Sequence, residues 1–103
     1  YSNAKSVTIT ITYQTESTSW DWCSITSGTD YTAGSSYSTT RSYLNTSGSI
    51  VSTTGTNSAV KFGGTTMLTK TYTVEMLTGS VIFKSDGSVN SYYGISVQVV
   101  PNY

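Results

Sequence analysis

The chain has no histidine, one cysteine (Cys23), one proline (Pro101) and only five basic and five acidic residues in 103. Without histidine it lacks the side chain that most often moves protons near neutral pH. Ser-His-Asp and Cys-His catalysis and histidine-bound zinc therefore cannot be built from this chain alone. A catalyst would have to rest on carboxylates. One cysteine forms no internal disulfide, so cysteine usage does not report a redox compartment. With Trp20 and Trp22 close by in sequence, Cys23 reads as a small core residue. Zero net charge and so few lysines and arginines leave no basic stripe to neutralise phosphates. That speaks against nucleic acid, and equally against an anionic membrane surface. No apolar run approaches the roughly 20 residues of a spanning helix, so membrane insertion is not expected either. The opening YSNAKSV is not a charged-then-apolar signal segment. We read the chain as one domain, residues 1–103, processed out of or excised from a longer extracellular protein.

What the chain has in quantity is hydroxyl: 19 serines and 20 threonines, with nine glycines and nine tyrosines. Residues 6–13, SVTITITY, alternate Val7, Ile9, Ile11 and Tyr13 with polar residues, the period of a strand with one face inward and a threonine face outward. Further β-rich stretches lie at 20–26, 37–44, 48–53, 59–62, 69–77, 80–85 and 94–100, and none shows apolar residues at helical spacing. Glycine- and serine-containing breaks separate them, such as Ser27-Gly28, Gly63-Gly64 and Asp86-Gly87. Seven or eight short strands at this spacing predict an all-β protein, a mostly antiparallel β-sandwich of jelly-roll type. The hydroxyl-rich stretch 27–58 keeps Tyr31, Tyr37, Tyr43, Leu44, Ile50 and Val51, and we read it as ordered with long loops.

With only five acids, their placement carries weight: Glu16, Asp21, Asp30, Glu75 and Asp86. Glu16 and Asp21 flank a short connector between the first two strands, and Asp86 precedes the last one. In a sandwich those two connections can share an end. Three carboxylates there, with oxygens from Ser88 and Asn90, make the kind of set that a hard Ca²⁺ ion takes. As plain turn residues they are also unsurprising, since Asp86-Gly87 is a favoured turn pair. Glu16 and Asp21 in one connection more naturally share a metal than flank a glycosidic bond.

The run VTITITYQTESTSWDWCSI (7–25) resembles the CUB-domain segment in which an alternating strand leads to a glutamate, an aromatic-Asp pair and another strand. Residues 81–97, VIFKSDGSVNSYYGISV, resemble that family's hydrophobic strand, Ser-Asp-x-Ser motif and glycine-led final strand. The resemblance implies a divergent, microbial, CUB-like jelly-roll sandwich with a calcium ion that fixes its partner-contacting loops. Glu16 then matches the calcium glutamate, Asp21 the aspartate after the aromatic, and Asp86 the aspartate of the Ser-Asp motif. Ser88 would offer its backbone carbonyl, and Asn90 an oxygen directly or through water. The chain departs from the family in lacking its cysteine pairs apart from Cys23, and in having Gly94-Ile95 where Gly-Phe is common.

Aromatics form 13% of the chain and admit two uses. Trp20, Tyr92 and Tyr93, if exposed, are sugar-stacking candidates; otherwise they anchor the core or an interface. By alternation Trp20 and Trp22 share a face with Asp21 opposite. Asn45-Thr46-Ser47 matches the N-glycosylation pattern, making Asn45 a modification candidate. The expectation from sequence is a non-enzymatic, calcium-stabilised interaction and assembly module of a cell surface, filament or virion. Its partners would be another protein or copies of itself, through terminal strands carrying Ile9 and Ile11 or Val97 and Val99. The alternative is a carbohydrate-binding module that uses the exposed tyrosines and tryptophan.

Overall fold

Threonine and β-branched residues in strict alternation favour a pleated strand, and Ser6–Gln14 (β1) forms one over nine residues. A computed structural model describes residues 3–27, 40–84 and 92–103. After β1 come Trp22–Thr26 (β2), Arg41–Leu44 (β3), Ile50–Thr53 (β4), Leu68–Val74 (β5), Ser80–Lys84 (β6) and Gly94–Asn102 (β7). All described pairings are antiparallel, and no α-helix lies among the described residues. They build a three-stranded sheet, β5-β1-β7, and a four-stranded sheet, β4-β3-β2-β6. The expected all-β sandwich is the observed architecture, with seven described strands in a three-on-four arrangement.

The inward row of β1, Val7, Ile9, Ile11 and Tyr13, is buried and packs against Cys23 and Ile25 of β2, Leu44 of β3 and Val74 of β5. Tyr72, Ile95, Val97 and Val99 complete the inner layer from the two flanking strands. Outward, Thr8, Thr10 and Thr12 stand directly opposite Thr73, Thr71 and Thr69, with hydroxyl oxygens 3.4, 3.4 and 3.1 Å apart. The composition is thus explained locally: threonine supplies β-propensity and a solvated face that pairs with itself.

The stretch 59–62, expected as strand, is instead a 3₁₀ turn, Ser58–Val60, followed by one bridge between Phe62 and Cys23. The reason is local. Asn57 caps the turn through its side-chain oxygen, which accepts from the Ala59 N–H at 2.9 Å, and only Phe62 regains extended pairing, exchanging two backbone bonds with Cys23. The Phe62 ring then enters the core, edge-on to Tyr13 at 5.7 Å and tilted to Tyr72 at 6.1 Å. β2 is buried on both faces, its second face partly covered by this turn through a Ser24 hydroxyl bond to the Val60 carbonyl (2.8 Å).

A second correction concerns the tryptophans. β2 begins only at Trp22, and residues 18–20 form a turn, so alternation does not reach Trp20. Trp22 is buried beneath Lys61, whose ammonium lies 5.1 Å from the ring centroid, whereas Trp20 is exposed. Asp21, expected on an opposite face, is itself buried.

The β3–β4 hairpin is closed by Asn45. Its side-chain oxygen accepts from the Ser47 N–H (3.0 Å), the Ser47 hydroxyl (2.7 Å) and the Ser49 N–H (3.0 Å). Gly48 follows at φ +98°, and a Cβ there would sit 3.0 Å from the Tyr72 ring, so both conformation and space call for glycine. The Tyr72 hydroxyl donates to the Thr46 carbonyl at 2.6 Å, fastening β5 to the hairpin of the other sheet. With this side of the sandwich closed, Phe62 occupies the centre of its packing. We expect Phe62→Ala to lower unfolding free energy by about 3–5 kcal/mol in urea titrations, and Thr71→Ala by less than about 1 kcal/mol.

Candidate functional site

The β1–β2 connection is clamped at both of its ends. Thr15 donates its hydroxyl to the Asp21 carbonyl (3.0 Å) and accepts from the Gly64 N–H (2.8 Å), while its own N–H donates to the Gly64 carbonyl (2.8 Å). Within the connection, the Asp21 N–H donates to the Ser17 carbonyl at 3.0 Å. Gly63 lets these strands of chain meet, since a Cβ there would lie 2.8 Å from the Asp21 carbonyl and 2.9 Å from the Thr15 hydroxyl. The fold thus places Glu16, half-buried, and Asp21, buried, in one rigid connection.

The last two strands bring a second connection to the same end. Lys84, closing β6, pairs with Trp22, and Gly94, opening β7, pairs with Gln14. Gln14 ties the end together: its amide N–H donates to the Thr65 carbonyl and its carbonyl accepts from the Tyr93 N–H, both at 3.1 Å. Between them lies a depression of about 240 Å³ lined by Gln14, Thr15, Asp21, Phe83, Lys84, Gly94 and Ile95. Exposed aromatic rings surround this end: Trp20, Phe83, Tyr92 and Tyr93.

Of the residues expected to hold calcium, Glu16 and Asp21 lie in the same β1–β2 connection, Asp21 lining the depression. Asp86, Ser88 and Asn90 lie outside the described residues. Among the described residues there is no group of three or more His, Cys, Asp or Glu side chains. Tyr92, Tyr93 and Trp20 all stand on this end, and Asn45 does its structural work in the β3–β4 turn. Sequence reasoning passed over Gln14, Phe83 and Lys84. In SVIFK the register places Val81 and Phe83 on the face of Ile25 and Cys23, toward the other sheet but exposed at the edge, whereas Ile82 lies on the opposite face beside Ser24 and is buried there.

A different opening lies along the side between β6 and β7. It is an apolar groove of about 380 Å³, walled by Val7, Ile9 and Val99 from one sheet and Ile25 and Val81 from the other, with Met76 and Leu77 across one end. No helix among the described residues is long and apolar enough to cross a membrane. The fold and these two openings define an all-β sandwich of threonine-rich sheets. Compared with known proteins, the chain matches no protein-family model, no curated protein and no solved structure.

Cys23 is free, fully buried in the core, and its thiol is pushed up to about 12 by burial. Burial also raises Tyr13, Tyr43 and Tyr72, the nearby Arg41 partly opposing it at Tyr43. A group whose folded value is raised gives stability that is complete below its unfolded value and is lost as pH rises through the folded one. We therefore expect stability to fall from pH 9 to about 12, with a Cys23 slope of up to about 1.4 kcal/mol per pH unit. Urea midpoints across this range check it, and Cys23→Ala should delay the fall until the tyrosines titrate above pH 10.

Proposed function

We propose that this chain is a non-enzymatic interaction and assembly module of an extracellular surface, filament or virion, its partners being copies of itself or another protein. The observation that carries this reading is the apolar groove between β6 and β7, because a sandwich closed for independent life covers such a row. β1 is hydrogen-bonded on both sides, to β5 and β7, so the Ile9 and Ile11 strand is not available to a neighbour's sheet. Among the described residues, Val97 and Val99 on β7 are the terminal-strand residues that remain at an edge. Near-zero net charge gives little repulsion between copies.

Calcium belongs to the same proposal. Glu16 and Asp21 supply two carboxylates on a clamped connection, an oxygen donor set suited to a hard cation, and the CUB-like resemblance adds Asp86, Ser88 and Asn90. The jelly-roll form of the sandwich rests on that resemblance too. Bound there, the ion would lock the connections at this end. A second reading, carbohydrate binding, is favoured by Trp20, Tyr92 and Tyr93 standing exposed beside a depression that holds a carboxylate and an ammonium.

The assembly reading is tested by light scattering over a concentration series. Mean mass should rise with concentration, and a monodisperse monomer throughout would contradict it. For calcium, we expect millimolar Ca²⁺ to raise Tm by mass action, with about 2.7 kcal/mol gained at a hundredfold excess over Kd. Glu16→Gln with Asp21→Asn should abolish the shift, and an unmoved Tm for the parent chain would remove the ion from the account.

A further inference from the structure

We propose that the outward edge of β7 pairs antiparallel with β7 of a second copy, about a two-fold axis, joining two three-stranded sheets into one of six strands. The proposal rests on the assembly reading and names its partner and its contact. It begins from how the four sheet edges differ. An uncovered edge offers a row of unpaired N–H and C=O groups, and proteins normally blunt it by shortness, inward charge or proline. β4 has four residues and β6 has five, ending in Lys84. β5 carries Lys70 in register with the inward-facing Ile11, and Tyr72 ties this strand to the β3–β4 hairpin. β7 runs for nine residues, GISVQVVPN, without a charge, and pairs with β1 along its whole length. Among the described residues no strand pairs with its other side.

Backbone direction sharpens this. The Asn102 carbonyl faces the β1 side, where it accepts from the Lys5 N–H at 2.7 Å. Because N–H and C=O of successive residues point to opposite sides of a strand, the even positions of β7 serve β1 and the odd ones point outward. Ile95, Val97 and Val99 therefore present complete donor–acceptor pairs at the edge. Pro101, which has no N–H to give, is also odd, so its deficit falls on the open edge and leaves the β1 ladder intact. It marks where the usable edge stops.

Two-fold antiparallel pairing puts each residue opposite itself or a near neighbour, so a charged edge would repel its own copy. An uncharged strand does not. Centred on Gln98, the pairing sets Val97 against the second copy's Val99 on the inner face and Ser96 against its Val100 on the outer face. The amides of the two Gln98 side chains meet at the axis. The valine row then continues the apolar wall that Val99 already gives to the groove, and the threonine faces of both copies lie on one side of the joined sheet.

Gln98 is exposed and its side chain is not in the core, so it can be changed without disturbing the monomer. Gln98→Lys and Gln98→Glu should each weaken self-association several-fold in light scattering, and mixing the two should restore it. Gln98→Cys should give a covalent dimer with a short bis-maleimide at pH 8, where the buried Cys23 thiol, pushed up to about 12, stays silent. Thr71→Cys, on the outer face of β5, should not. If the parent chain associates while both charge variants associate equally well and Gln98→Cys does not cross-link, the β7 contact is wrong and the assembly reading stands. A parent chain that is monomeric at every concentration overturns both.

Discussion

β1 is held by hydrogen bonds along both of its edges while its side chains alternate between two environments, and the rest of the molecule is arranged around that double constraint. Its inward row of Val7, Ile9, Ile11 and Tyr13 forms the floor of the core, so a one-residue slip in either ladder would turn four apolar side chains to water. The threonines between them meet threonines on β5 at hydrogen-bonding distance. Register is thus specified twice, once by burial and once by matching outer faces. The four-stranded sheet needs only to cover this floor, and it does so with the paired Cys23 and Phe62 at one end and Ile25 and Leu44 toward the other.

Placing β1 at the centre leaves β5 and β7 as the edges of this sheet among the described residues, and the two are treated differently. On the β5 side, the Tyr72 bond to the Thr46 carbonyl ties the two sheets together. On the β7 side the sheets part, exposing apolar side chains from both in a single groove. The groove lies toward the Val7 end of β1, and the depression with Asp21, beside the exposed aromatics, lies at the Gln14 end. Little charge is spent on the protein's surface, and the charges present have local roles: Lys61 covers Trp22, and Asp21 lines the end of the sandwich.

Much of this was legible in the residues. SVTITITY dictated β1, its inward row and its threonine face, because period-two alternation has no other low-energy reading over so many residues. Glycine- and serine-rich breaks marked most connections, and the buried Cys23 followed from its neighbourhood in sequence. Two features were hidden for physical reasons. The segment 59–62 has the composition of a strand, but the Asn57 cap diverts it into a 3₁₀ turn, a local hydrogen bond overriding propensity. Trp20 fell outside the alternation because the Ser17-centred turn delays β2 to Trp22. Sheet order was hidden as well. Alternation tells which face of a strand is buried but not which strands lie beside it, so the central position of β1, which leaves it no free edge for pairing with another copy's sheet, appeared only in the pairing. At the candidate site, the sharing of one end by the first and last connections was legible from strand reversal, whereas the contribution of Gln14 was not, since it depends on Tyr93 and Thr65 arriving on either side of it.

The central claim is that the β1 ladders are complete within one copy while the outward positions of β7 are completed by another. Residue-resolved amide hydrogen exchange at low and high protein concentration tests it most directly. The account predicts that β1 amides are protected at every concentration, and that Ile95, Val97 and Val99 exchange quickly when dilute and become protected as copies associate. Protection of those three amides in the dilute monomer, or their continued rapid exchange in the associated state, would contradict it.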